Sequence, residues 1–323
     1  MADQGYYQPE IRNILLNVLV VSLVLVIPGL QWSLFGWLYM FLPLYVLYLL
    51  SKFGVFAGRR MLLTAAAISL CSNLFVGSFD LFLFSAAMLI PGVVLYQSLK
   101  NHDSPPISGL KGCLSLAGGW LIAVAIGSAG SEMNVYSQML LALDQGLTES
   151  LELYRQSDGV SGETLTVIES TISQMKIVIP AVMPGIIGSV MLLIIWATMA
   201  IGNIILEKTC GQTAWSSFHL WTLPEKLIWG VIAMGAMVMI PLGALPKIGI
   251  NCILLLFLLY CFQGLSIIVF FMNKWKVPLL LRSFIYVMIV LQSLGTLVLL
   301  FFGIADIWMD FRKLKAPAQS INK

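Results

Sequence analysis

GINCILLLFLLYCFQGLSIIVFFM, residues 249–272, is the stretch that decides the fold. It is 24 residues long and contains no Asp, Glu, Lys or Arg. A helix needs only about 20 apolar residues to cross the roughly 30 Å hydrocarbon core of a bilayer. In hydrocarbon every backbone N–H and C=O must be satisfied by the protein itself, so an apolar run of this length is a transmembrane helix.

Working outward, similar runs recur at about 12–30, 32–50, 61–78, 81–99, 112–130, 178–205 and 227–245, with a last apolar stretch at 278–305. Over 323 residues, 59% are hydrophobic and only 10% charged, and the mean hydropathy is +0.93. That leaves too little polar surface for a water-soluble domain. The expected fold is therefore all-α, a polytopic transmembrane helical bundle forming a single integral membrane domain over residues 1–323. The last stretch reads in two ways. Bent near Gln292, Ser293 and Gly295 it is a short C-terminal hairpin following eight spans; crossing once, it makes nine spans.

The net charge of +3 hides an uneven distribution. Residues 131–176 hold seven acids (Glu132, Asp144, Glu149, Glu152, Asp158, Glu163 and Glu169) against Arg155 and Lys176. The loops at 51–60, 99–111 and 273–282 are instead basic, with Lys52, Arg59, Arg60, Lys100, Lys111, Lys274, Lys276 and Arg282. The positive-inside rule puts these loops in the cytoplasm and, counting from a cytoplasmic amino terminus, the acidic segment outside. The amino terminus MADQGYYQPE has no basic region of the kind that precedes a cleaved signal, so the first span is expected to stay. In the acidic insert Tyr136, Leu140, Leu143, Leu147, Leu151 and Tyr154 recur at helical spacing, SDGVSGE turns the chain, and Leu165, Ile168, Ile172 and Met175 recur again. This predicts an extracytoplasmic amphipathic helical hairpin, either a cap packing on the bundle or lying at the lipid headgroups, or a gate or lid over a pore.

Two further patterns concern packing. Ser115, Gly119, Ala123 and Gly127 repeat every fourth residue in the fifth span, a small-residue face that lets another helix approach closely. Pro180 and Pro184, followed by Gly185 and Gly188, allow a kink in the sixth.

Candidate chemistry is sparse. Tyr260, Gln263 and Gly264 share one face of the eighth span, with Asn251 nearer its outer end; a buried Gln needs partners for both ends of its amide. They form either an interhelical clamp or the wall of a binding cavity. Asp80, in GSFDLFLF, reads as a helix N-cap. His102 and His219 have no second ligand at metal spacing, and Cys71, Cys113, Cys210, Cys252 and Cys261 form no CxxC pair. No phosphate-binding loop, nucleophile elbow or zinc motif is present. No cofactor, no metal, no nucleic-acid partner and no enzymatic activity are expected. The carboxy-terminal GIADIWMDFRK, residues 303–313, combines an interface anchor in Trp308 and the bases Arg312, Lys313 and Lys315 with two acids one helical turn apart, Asp306 and Asp310. If the helix continues, Asp310 can pair with Lys313, and Asp306 with a loop base such as Lys274 or Arg282.

The order Asn203, WTLPEKLIW (221–229), YCFQGLSI (260–267) and GIADIWMDFRK (303–313) resembles the YybS-like family of predicted bacterial membrane proteins. The matching positions are Asn203, Pro224, Tyr260, Gln263, Gly264, Gly303, Asp306, Trp308 and Arg312, and they cover the carboxy-terminal half. That family is distantly similar to the substrate-capture subunits of energy-coupling factor transporters and to MreD-type rod-shape scaffold proteins. The resemblance implies a multi-pass protein of the bacterial inner membrane with no enzymatic role. Capture subunits dock through an alanine-xxx-alanine pattern in their first span, which NILLNVLVVSLVLV lacks. Beyond the lipid bilayer itself, two kinds of partner are thus expected. The leading one is a small, vitamin-like solute bound between the helices of a transporter-like protein without its own ATPase. The alternative is a membrane protein recruited by a scaffold or assembly factor.

Overall fold

The structure, a computed structural model, describes residues 10–129, 135–157, 161–211 and 213–314. The expectations for the amino terminus, Glu132, Asp158 and Lys315 fall outside these residues. Among the described residues there is no strand. The helices are α1 Ile11–Leu30, α2 Trp32–Phe35, α3 Leu42–Val76, α4 Phe79–Lys100, α5 Pro105–Ser128, α6 Val135–Arg155, α7 Gly162–Cys210, α8 Leu227–Met239, α9 Leu245–Lys274, α10 Leu279–Leu291 and α11 Ser293–Met309. Short 3-10 helices occur at Gly36–Phe41 and Phe218–Leu220.

Among the described residues, six helical stretches are long and apolar enough to cross a membrane, or seven if Leu279–Ile289 and Leu294–Met309, bent by 99°, are one broken span. The sequence count of eight or nine is larger for three local reasons. Residues 32–50 and 61–78 count together as the stretch Trp32–Val76, although that stretch is two helices that meet at a break at Gly54 (φ 78°, ψ 169°), inside the expected loop at 51–60. Essentially only glycine takes that conformation, and it folds the chain back so sharply that a Cβ on Gly58 would lie 3.2 Å from the Leu49 carbonyl. Residues 227–245 form only the 13-residue α8, roughly 20 Å long. The last stretch breaks at Gln292, which is extended at φ −108° and ψ 125°.

The chain divides into two compact units, Met1–Met183 with Val190–Ala214, and Pro184–Ser189 with Trp215–Lys323. In the first, helices meet through small residues, as expected where lipid offers no hydrophobic drive for association. A Cβ on Gly119 of α5 would lie 3.2 Å from that of Ala87 on α4, and one on Gly92 of α4 would lie 2.6 Å from the Pro43 carbonyl of α3. The Ser115, Gly119, Ala123, Gly127 face thus finds a neighbour within its own chain. Gly127 comes close to Asp80, at 3.3 Å for a built Cβ. Asp80 is not the cap: Ser78 is the N-cap of α4 and Asp80 lies in the first turn, where its charge still complements the helix dipole. Polar groups in the unit are bonded both between and within helices: the half-buried Tyr45 hydroxyl of α3 donates to the buried Asn17 Oδ1 of α1 at 2.6 Å, and the buried Asn73 Nδ2 donates to the Ser69 carbonyl one turn away at 2.9 Å.

The 49 residues of α7 reach roughly 70 Å, more than twice the hydrocarbon thickness. The helix continues through Pro180 and Pro184. Pro184 has no N–H for the Pro180 carbonyl, which instead accepts a long 3.5 Å bond from the Tyr136 hydroxyl of α6. Beyond that point α6 and the start of α7 are tied by Arg155 to Glu169 at 2.7 Å and Lys176 to Asp144 at 2.8 Å.

Candidate functional site

The site lies in the second unit and begins with two glycines. A Cβ on Gly264 would lie 2.0 Å from the Leu299 carbonyl, and one on Gly303 2.0 Å from the Tyr260 carbonyl. Backbone therefore touches backbone where α9 crosses α11, and only hydrogen fits between them. This close crossing brings Gln263 and Asp306 together: Gln263 Nε2 donates to Asp306 Oδ2 at 2.8 Å.

The helix does not continue through the carboxy-terminal motif. It ends at Met309, with Asp310 in the left-handed region at φ 39°. Aspartate tolerates this conformation better than most residues, and Asp310 Oδ1 accepts from the Leu314 N–H at 3.0 Å. The reversal swings Arg312 back onto the helix it has just left. Its Nη2 meets Asp306 Oδ2 at 3.0 Å, with side-chain exposures of 0% and 4%. The partner of Asp306 is thus Arg312, and neither Lys274 nor Arg282. Arg282 instead closes the end of α9, donating to Asn273 Oδ1 at 2.7 Å and to the Val277 carbonyl at 2.8 Å.

Such a buried pair holds only if the remaining hydrogen-bonding capacity is used. Asp306 Oδ1 accepts from the Phe311 N–H at 2.9 Å. Arg312 Nη1 donates to Ser266 Oγ at 2.7 Å and to the carbonyls of His219 and Trp221 at 2.9 and 3.0 Å. Gln263 Oε1 accepts from the Leu223 N–H at 3.0 Å. Three segments therefore converge: the loop before α8, the middle of α9, and the end of α11. They are the same three pieces, WTLPEKLIW, YCFQGLSI and GIADIWMDFRK, that carry the sequence resemblance.

The electrostatic consequence reaches the loop. The His219 imidazole has its pKa lowered, first by burial and then by the Arg312 charge, which favours its neutral form. Two atoms of the cluster, the Tyr260 hydroxyl and Arg312 Nε, are buried with no protein partner among the described residues. Beside them lies a cavity of about 10 Å³, lined by Thr222, Glu225, Tyr260, Gln263, Asp306 and Asp310 among others. That is at most the space of one water.

The other sequence candidates lie apart from this cluster. Asn251 Oδ1 accepts from the Gly185 N–H and its Nδ2 donates to the Lys247 carbonyl at 2.6 Å, fixing α9 against residues 184–189. Asn203 is buried in the first unit. Trp308 is 70% exposed, as an interfacial anchor would be. Ser266 and the His219 and Trp221 carbonyls were not singled out in the sequence. The only signal for Ser266 was its place three residues beyond Gln263, one helical turn along the same face. Among the described residues no group of three or more His, Cys, Asp or Glu could hold a metal ion. A separate groove of about 340 Å³ opens between α10 and α11, lined by Phe284, Met288, Gln292, Leu294 and Val298 among others.

Chemically, the cluster is a clamp: its carboxylate, guanidinium and amide are engaged with protein atoms from three segments. No curated protein and no solved structure matches the chain. The family model for a predicted membrane protein (DUF2232) matches residues 20–307, so it takes in part of the first span, the segment 135–176 and the clamp as far as Asp306, while Arg312 lies beyond it. With membrane-length apolar helices among its described residues and a match over most of its length, this chain belongs to the predicted membrane protein family DUF2232.

Proposed function

We propose that the protein is a non-catalytic scaffold of the bacterial inner membrane that recruits another protein, the second of the two roles expected from the sequence. The observation that carries this reading is the α6–α7 hairpin. Its 21-residue α6 is amphipathic in sequence, yet no side chain in it is buried. A helix patterned to hide an apolar stripe, and left with that stripe half open, is built to be covered by something else. The basic loops support placing this hairpin on the outer side. The MreD-like side of the family resemblance points the same way.

The solute-carrier reading draws on the polar face at Tyr260 and Gln263, the kink-prone Pro180 and Pro184, and the amphipathic hairpin, and it needs Gln263 to line a cavity. With its amide bonded at both ends and about 10 Å³ beside it, Gln263 has no room for an organic solute. The groove between α10 and α11 favours a narrower form of that reading, a lipid-like molecule whose chain lies along Phe284, Met288 and Val298.

Native mass spectrometry of the protein extracted gently from its own membrane tests the choice. A stoichiometric protein partner is expected. A discrete small-molecule mass with no protein partner would overturn the scaffold reading, and its loss on Val298→Trp would locate it in the groove.

A further inference from the structure

The hairpin also carries information about what covers it. In α6 the stripe Leu140, Leu143, Leu147 and Leu151 is half-buried, as are Leu165 and Ile168 of α7, and Ile172 is buried. Ion pairs tie the two helices together, and both stripes stay largely half-buried. More apolar side chains on the pair are largely exposed, among them Leu153 at 70% and Val167 at 61%. Among the described residues 135–157 and 161–176 there are five acids, Asp144, Glu149, Glu152, Glu163 and Glu169, against two bases, Arg155 and Lys176. The two bases are engaged across the seam, with Glu169 and Asp144.

Resting on the scaffold reading, we infer that the α6–α7 seam docks a basic amphipathic helix of a partner protein, which completes a three-helix bundle. Such a helix would lay its apolar stripe along Leu143, Leu147 and Leu151 and place its lysines or arginines against the acidic rim. Charge decides among the occupants. A second copy of the hairpin would bring two acidic surfaces together, and an anionic lipid surface would be repelled for the same reason. The continuous α7 also carries the seam along its own axis beyond its apolar segment.

The test uses the full-length protein in detergent and a fluorescent synthetic peptide of several heptads, with leucine at the core positions and lysine at the flanking ones. The control peptide replaces lysine with glutamate. The lysine peptide is expected to bind at least about tenfold more tightly than its glutamate counterpart, and to weaken several-fold between about 0.05 and 0.5 M salt. Leu147→Gln with Leu151→Gln is expected to lower its affinity at least about tenfold. Because that variant could disturb the hairpin, Glu149→Lys with Glu163→Lys, both at exposed positions, provides a second reading and should erase the preference between the peptides. Equal affinity for both peptides, or binding indifferent to both variants, overturns the inference. So does a dimer of the chain that the seam variant dissolves. If native mass spectrometry finds a protein partner that the seam variant still retains, the scaffold reading stands and this docking site falls; no partner on the parent protein removes the scaffold reading itself.

Discussion

At the scale of single residues, Asp306 and Arg312 show how a membrane protein tolerates buried charge. Both carboxylate oxygens and both terminal nitrogens of the guanidinium are engaged, with only Arg312 Nε lacking a protein partner among the described residues, so the pair is costly to break even where it adds little net stability. Asp306→Asn removes the counter-charge and leaves a guanidinium buried against carbonyls; thermal unfolding in mild detergent should show a loss on the order of 3 kcal/mol. Arg312→Lys should cost nearly as much. An ammonium is not a planar fork and cannot reach Asp306, Ser266 and two carbonyls at once. A lysine variant as stable as the parent would show that the fork geometry is unimportant. The glycines of the crossing make a different demand, for space. Gly264→Ala places a methyl 2.0 Å from the Leu299 carbonyl, so α9 and α11 must separate, at a cost of about 1–3 kcal/mol or more. Parent-like stability there would mean the two helices need not touch.

At the scale of elements, the breaks matter as much as the helices. Gly54 lets the chain between residues 42 and 76 fold back without a conventional loop, and any side chain at its φ of 78° and ψ of 169° is strained. Gly54→Ala should therefore destabilise by about 1–3 kcal/mol, although no atom lies within 4 Å of where the new methyl would go. That combination separates backbone strain from crowding: an unchanged melting temperature would mean the turn relaxes. The end of α11 works by the same logic. Asp310 in the left-handed region turns a possible straight helix into a reversal, and that reversal delivers Arg312 to Asp306. The spacing of Tyr260, Gln263 and Gly264 put them on one face in the sequence alone. The identity of the base that meets Asp306 was not legible, because it depends on one backbone torsion at Asp310 that sequence periodicity does not encode. The break at Gly54 was legible, because the basic residues of 51–60 separate two apolar runs, but the torsion that makes it a sharp reversal was not.

At the scale of the whole molecule, six helical stretches long enough to cross a bilayer give the chain a lipid environment, and its exposed apolar side chains, such as Leu279 at 80% and Leu280 at 83%, suit one. A pH response follows from the loop that the clamp holds. The pKa of His219 is lowered in the folded protein, so below the ordinary histidine value of about 6.5 the unfolded chain binds more protons than the folded one. Stability is then full above that pH and declines as the pH falls through it toward the lowered folded value. Melting temperature measured between about pH 7.5 and 5.5 should fall, and His219→Gln should flatten that part of the curve. An equally steep fall in the variant would assign the effect to other groups.

Sequence by itself determined that this is an all-helical membrane protein, because runs of about 20 apolar residues have no other stable form in lipid. It also marked an acidic amphipathic insert and the face shared by Tyr260, Gln263 and Gly264, because helical periodicity is local. Only the tertiary structure decided that these polar groups close on Asp306, Arg312 and the loop before α8. Contacts between segments 35 or more residues apart depend on where backbones can touch, here at Gly264 and Gly303, and on where the chain reverses, here at Asp310.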